Sequence, residues 1–448
     1  MRKVFLRSVF LLSAISLLIR FIFPSNTVLA KDIEHKPITQ ELINLIKKNP
    51  EIGKMLEKSI AEAKKVNPDP KTNPVQNLSE YYNFVDEMAD VFPLQKLENS
   101  QLSACNQIYQ NIRYFYFLVG QPIPELEGKN LYKNSLQYYP PFSKWLYHFV
   151  QIRGKFLDTE ESWNEKIYQR IYNDPLFNLQ KGWYESPSNW KTFNQFFARR
   201  LKSPDMRPIA SPDDPSVVVS PADSVPQGVW LIDEKSNIRV ERGLKIKNEY
   251  YYNIADLLGK DSPYKNAIAN GVLTHTYLSA GDYHRYHFSV GGKVVAKKII
   301  PQNVAYEVLW VPELKGYATV DSTGWQFTQT RGYVIVDTGK YGLVALIPMG
   351  MDICSSINFE DNVKVGRTFK KGDPLGYFKY GGSDFVMLFQ KKAGFEITAP
   401  VEKDTKTQSL YGAQKGDEYR QAVYKHILMG EEYGRMKGLE KAKKEGTR

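Results

Sequence analysis

The sequence predicts an α+β protein: a helical N-terminal region followed by a mostly antiparallel β core. Two observations predict it. From about residue 31 to 180, apolar residues recur at helical spacing, punctuated by Asn-Pro and Pro-Pro steps. From about 215 to 400 the apolar runs become short, β-branched or aromatic, and are bounded by Gly, Pro, Asn or Asp. With 448 residues, 42% of them hydrophobic and 13% aromatic, the chain has material for two or three domains and a sizeable core.

The elements follow in chain order. Arg2, Lys3 and Arg7 precede an apolar run from Val9 to Ile19, and Thr27-Val28-Leu29-Ala30 supplies small residues before a cut after Ala30. This is the layout of a signal peptide over residues 1–30, with an uncleaved anchor as the alternative. The mature protein is then expected to be exported, as a periplasmic or secreted protein or one peripheral on a membrane. Residues 31–185 are expected to form a helical domain and 186–448 a second, β-rich domain. Thr39 is placed to cap a helix carrying Leu42, Leu45 and Ile46, and Asn49-Pro50 to start another carrying Ile52, Leu56, Ile60 and Ala63. Asn67-Pro68-Asp69-Pro70 ends it, and a third helix is expected from Ser79 to Val91. Asn189 to Leu201 reads as one amphipathic helix. Strands are expected at 217–219, 271–278, 293–300, 332–337, 343–348 and 385–389, with a turn from Lys370 feeding a strand. From Asp417 the tail reads as a charged helix.

The net charge is +11, from 60 Lys+Arg against 49 Asp+Glu, which suits an anionic membrane surface. It is equally what a basic soluble protein carries. No dense basic run interleaved with aromatics is present, so nucleic acid is not an expected partner. Cys105 and Cys354 are the only cysteines, too few for a disulfide framework or a cysteine zinc site.

Three short segments could carry chemistry. His284 and His287 lie in Asp282-Tyr283-His284-Arg285-Tyr286-His287, either as a metal pair or as a packed aromatic turn; no third ligand stands at helical spacing, so metal is not expected. Gly381-Gly382-Ser383-Asp384-Phe385 is a turn before a strand, and Phe385 stands where the nucleophile elbow of serine hydrolases needs Gly. Asp223, in Ser220-Pro221-Ala222-Asp223, could orient a histidine or cap a strand.

The order and separation of these segments resemble the phosphatidylserine decarboxylase family from about 190 to 390. The resemblance is carried by Phe196-Phe197-Ala198-Arg199-Arg200, then Arg207-Pro208-Ile209, Ser220-Pro221-Ala222-Asp223, Tyr277 to His287, Lys370 to Phe378 and Gly381-Gly382-Ser383. It implies a β core of that family's type in 186–448 and a proenzyme that cuts itself between Gly382 and Ser383. Ser383 would be the nucleophile, Gly382 would supply the carbonyl, His287 would be the base and Asp223 would orient it. His284 would serve the decarboxylation. Ser383 would become a covalent pyruvoyl group, a carbonyl electron sink. The expected partners are the two cleaved chains, a second copy in a homodimer, a peripheral membrane contact, and phosphatidylserine as substrate. A free (aromatic) amino acid is the alternative substrate, because the helical N-terminal region and Gly-Gly-Ser look like a subgroup that includes tryptophan decarboxylases. Ser224 stands where many members have Gly, and Asp384 where many have Thr or Ser. Asp384 also supports a third reading, an exported binding protein that never cleaves.

Overall fold

Proline opens the first two helices. Pro37 begins α1 (Pro37–Lys48) and Pro50 begins α2 (Pro50–Val66), each at a position where the missing N–H is not needed. Thr39 is therefore not a cap: it lies inside α1 and is buried. The side chain of Asn49 turns back to the Leu45 carbonyl, at 3.1 Å, instead of capping α2. Ile52, Leu56, Ile60 and Ala63 form the buried stripe that their spacing predicts. Further helices are α3 (Leu78–Asp90), α4 (Ala104–Val119), α5 (Phe142–Phe156), α6 (Glu165–Tyr172) and α7 (Phe193–Phe197). The computed structural model describes residues 34–90, 103–129, 134–240, 244–246, 249–319, 329–350, 357–402 and 424–439. The expected signal peptide, Cys354 and residues 417–423 of the expected C-terminal helix lie outside them.

The predicted 13-residue helix from Asn189 to Leu201 shrinks to the five residues of α7. Thr192 caps it, its hydroxyl accepting the Gln195 amide at 3.2 Å. At Ala198 the backbone leaves the helix (φ −90°, ψ 27°), and Leu201 bridges to Tyr184. Burial of Phe193, Phe196 and Phe197 on several sides overrides the helical period.

The strands are β1 (Val217–Val219), β2 (Val225–Leu231), β3 (Asn237–Val240), β4 (Leu244–Ile246), β5 (Glu249–Asn253), β6 (Val272–Tyr277), β7 (Arg285–His287), β8 (Gly292–Ile300), β9 (Val308–Val311), β10 (Gly316–Thr319), β11 (Arg331–Asp337), β12 (Leu343–Gly350), β13 (Ile357–Phe359), β14 (Thr368–Phe369), β15 (Pro374–Phe378), β16 (Gly382–Phe389), β17 (Phe395–Ile397) and β18 (Glu432–Met436). A short helix, α8 (Ile254–Leu258), follows β5. The main sheet has seven antiparallel strands in the order β14-β8-β11-β12-β16-β6-β2. Three three-stranded sheets, β13-β15-β7, β1-β18-β17 and β3-β5-β4, and the ribbon β9-β10 complete the β structure. The C-terminal segment expected as helix thus includes a strand: Tyr433, Gly434 and Met436 are buried while β18 pairs on both sides, with β1 and β17.

Alternation along the strands gives the main sheet two apolar faces. Phe385, Met387 and Phe389 point into the large core shared with the helices, whereas Val386 and Leu388 join Ile335, Ile347 and the α8 residues Leu257 and Leu258 in a smaller one. Residues 36–448 form one compact unit. α4 links helices and strands: Tyr114 to Val119 are all buried, and the Gln110 amide exchanges hydrogen bonds with the Tyr317 backbone at 2.8 and 3.1 Å. The Arg331 guanidinium, buried under α8, donates to the Leu257, Asp256 and Gln329 carbonyls, which satisfies the helix end.

Candidate active site

Ser383 sits at a β-bulge. On the β12 side Asp384 faces Met349 and Gly382 faces Gly350, so Ser383 is an extra residue with no partner position on that strand. A bulge lifts a residue out of the regular ladder and re-aims it. On the other side the Ser383 carbonyl accepts the Leu278 amide at 2.8 Å. Gly381, just before, has φ +105°, a conformation that a side chain would strain. The Gly382–Ser383 peptide therefore lies at an irregularity of the strand, with Gly382 opposite Gly350 and the Ser383 carbonyl bonded to Leu278.

Leu278 also begins the loop that carries the histidines. The loop leaves β6 beside Ser383, turns through Asp282 and enters β7 at Arg285; β15, which leads back to Gly382, pairs with β7. His284 is fully buried. Its Nδ1 donates to the Asp282 carbonyl at 3.0 Å, and its Nε2 has no hydrogen-bond partner among the described residues. Burial, with the positive charge of Arg199 nearby, holds it well below the usual histidine range, so the ring is neutral with its lone pair on Nε2. Phe197 stacks on it at 3.8 Å and meets Tyr380 edge-on at 5.4 Å, so α7 clamps the histidine and the turn before Gly382 together. The Tyr380 amide donates to Asn194 Oδ1 at 3.0 Å.

The Phe196 to Arg200 segment owes its character to this loop. Arg199 is buried, donates to the Gly281 and Asp282 carbonyls at 2.6 and 2.8 Å, and lies over the Tyr184 ring. The Asp282 carboxylate accepts the Ser279 amide at 2.7 Å and faces His426 Nε2 at 2.9 Å. Desolvation alone would lower His426; the Asp282 carboxylate outweighs it and the net shift is upward.

His287, the last residue of β7, is also buried. Its Nδ1 donates to the Gly372 carbonyl at 2.8 Å, leaving Nε2 as an acceptor, 3.3 Å from the Tyr283 hydroxyl. Burial, partly opposed by the Gly372 bond and reinforced by Arg285, pushes the ring down to about 4. Asp223 is not the partner on Nδ1 that a Ser-His-Asp arrangement requires. Both its oxygens are held by Arg207, at 2.8 and 2.5 Å, and Oδ1 also accepts the Met429 amide at 2.9 Å. The reason is competition: a buried carboxylate takes a guanidinium fork and an amide before a neutral imidazole, and Gly372 supplies the imidazole with a carbonyl instead. Asp223 lies close enough to act on His287 through its charge.

The structure thus sets the β6–β7 segment with His284 and His287 alongside β15 and β16, which lead to and carry Gly382 and Ser383, while Asp223 is held by Arg207. Sequence reasoning missed four participants. The Gly372 carbonyl and the Tyr283 hydroxyl carry no residue-type signal for this role. Arg207 was visible only as part of Arg207-Pro208-Ile209. His275, in β6, lies 3.2 Å from Asp384 through Nδ1; a histidine inside a β-branched strand was its one signal. Among the described residues no group of three metal-ligating side chains converges.

Comparison with known proteins points to the same stretch of the chain. A family model described as phosphatidylserine decarboxylase matches residues 193–414, the stretch that holds the bulge and both histidines. Phosphatidylserine decarboxylase proenzyme 2 of Oryza sativa subsp. japonica is 34% identical over 244 residues, covering 54% of this chain and 36% of its own length. The phosphatidylserine decarboxylase proenzyme of Coxiella burnetii is 27% identical over 248 residues, 51% of this chain and 79% of that protein. That of Saccharophagus degradans is 28% identical over 266 residues, 55% and 85%. The chain spans about a third of the rice relative's length and most of the two bacterial ones. With the family's segments brought together on β6, β7, β15 and β16, residues 193–414 of this chain match the phosphatidylserine decarboxylase family.

Proposed function

We propose that this protein is a self-processing, pyruvoyl-dependent decarboxylase that converts phosphatidylserine to phosphatidylethanolamine and carbon dioxide. The observation that carries the reading is the bulge at Ser383, whose carbonyl accepts the amide of Leu278, the residue that opens the segment with two buried, neutral histidines.

Self-cleavage begins with Ser383. Its hydroxyl attacks the Gly382 carbonyl carbon, His287 Nε2 takes the hydroxyl proton, and the Ser383 nitrogen leaves that carbon as an amine. The Gly372 carbonyl fixes the tautomer that places the lone pair on Nε2. Asp223, tied to Arg207 and Met429, favours the protonated ring by its charge. Elimination then releases the hydroxyl oxygen in the new Gly382 carboxylate, and hydrolysis releases the nitrogen of residue 383 as ammonia.

The residues fit the pyruvoyl group that remains. Residue 383 is held through its own carbonyl by Leu278, and His284 Nε2, without a hydrogen-bond partner among the described residues, supplies a buried acceptor in the segment that Leu278 opens. The group supplies an electrophilic carbonyl that captures the substrate amine and takes up the electrons freed when carbon dioxide leaves. His284 does the proton work: its Nε2 accepts a proton as the substrate's ammonium group is deprotonated and returns it to the carbon that has lost carbon dioxide. The aromatic packing of Phe197 and Tyr380 keeps water out. The signal-peptide layout of residues 1–30 and the charge of +11 support an exported enzyme working at an anionic membrane surface.

The test is the intact mass of the wild type beside Ser383→Ala, followed by carbon dioxide release from phosphatidylserine vesicles and from free amino acids. Two chains in the wild type, the smaller starting at 383 without its amine, with release from the vesicles, is the expected result. Release from free tryptophan alone would replace the lipid with an amino acid. A single uncut chain in both proteins would overturn the enzyme reading in favour of a binding protein.

A further inference from the structure

The residue directly after the proposed cut is a buried acid. Asp384 is 1% exposed. Its Oδ1 accepts the Phe385 amide at 3.0 Å and lies 3.2 Å from Nδ1 of His275, which is 4% exposed; its Oδ2 has no hydrogen-bond partner among the described residues. The imidazole stacks on the Trp230 indole, centroids 5.1 Å apart and planes 27° apart. Around the pair stand Trp230 of β2, Met349 of β12, Val386 of β16, Tyr277 of β6, which lies opposite Asp384, and Tyr433 of β18. Tyr277 and Tyr433 are the titratable groups among them; Tyr433 is bonded to Thr274 at 2.7 Å, and burial pushes its ionisation up.

A carboxylate in such a place is tolerated only when neutral or paired, because desolvation penalises the bare charge heavily. The pair also has a mechanical consequence. Beside the bulge, residues 383 and 384 are both tied to β6, the former by Leu278 and the latter by His275, while Asp384 also faces Met349 of β12.

We infer that His275 and Asp384 form a matched, proton-sharing pair that positions Ser383 for self-cleavage, with His275 as a positioning residue. The inference rests on the pyruvoyl reading and adds to it the anchor of the scissile bond. Asp384 is then no bar to processing, since His275 neutralises it within the sheet.

The experiment follows chain splitting in wild type, His275→Leu, Asp384→Thr and the double variant, made by cell-free synthesis and read on denaturing gels. Removing His275 alone strands the acid and should slow splitting on the order of tenfold or more. The double variant should split about as fast as Asp384→Thr, because the pair is removed together. Rescue of splitting by the double variant is the readout that lost packing alone would not give. Equal defects in the single and double variants, or a normal His275→Leu rate, would overturn the inference. Should His275→Leu fail to fold, the double variant must still fold and split; its failure would be equally fatal. A wild type that never splits defeats the pyruvoyl reading itself, whereas a splitting wild type with additive variants defeats only the pair.

Discussion

The burial of His287 makes a pH prediction that separates it from an ordinary histidine. At its usual value near 6.5 a histidine is about three-quarters protonated at pH 6; at about 4 it is about 1% protonated there. A base at about 4 keeps roughly nine-tenths of its free form at pH 5, where an ordinary one keeps about 3%. Self-cleavage should therefore be flat from pH 7.5 to 5 and halve near 4, whereas a solvated base would lose about thirtyfold by pH 5. The perturbation is a pH jump: a brief pulse of cell-free synthesis, rapid transfer to buffers from pH 4 to 8, and a gel to follow the two chains. The same shift enters stability. A histidine held neutral contributes stability that is complete above about 6.5 and is lost as pH falls from there to about 4, about 3 kcal/mol in all. A rate that halves near pH 6.5 would refute the argument, since either the base would be another group or His287 would be wet.

Other perturbations probe the support of the site. Arg207→Met leaves Asp223 buried with the Met429 amide alone, so the unfolding free energy should fall by roughly 3–5 kcal/mol in urea titration, and adding Asp223→Leu should return much of it. Gly281→Ala places a methyl 2.2 Å from the Leu176 carbonyl oxygen; the loop must shift, at about 1–3 kcal/mol by thermal unfolding, and His284 should move with it. The His426–Asp282 contact should weaken with rising pH, because a histidine shifted upward gives its stability below about 6.5 and loses it as pH passes its raised value. Proteolysis near residues 424–436 should quicken over that range, and His426→Gln should abolish the change.

The strands of the main sheet were legible because each is a short apolar run closed by a turn residue. The expected 271–278, 293–300 and 343–348 lie within two residues of β6, β8 and β12 at each end. β2 was missed because Pro226 and Gly228 break its pattern, the latter at a register shift. α7 was overextended because aromatics packed on several sides mimic an amphipathic period. At the candidate site, the histidines and Ser383 were singled out by their order in the chain. The partners were not, because hydrogen bonds to the Gly372 carbonyl or from Arg207 depend on which segments meet in space. The expected Asp223–His287 bond failed for that reason: a stronger donor, 16 residues upstream, had claimed the carboxylate.

β16 is an inner strand, laced to β12 on one side and β6 on the other. A cut before Ser383 would therefore be a nick inside a finished fabric, and would free neither piece. The shorter product would stay threaded through the longer one, with β18 stitched to β1 as a second seam. Stripped of that product, the longer piece would have a sheet split down the middle, with β12 and β6 as raw edges open to other chains. Maturation of such a protein has a fixed order. The chain must be synthesised whole and folded before it is divided, and halves made separately should aggregate when mixed.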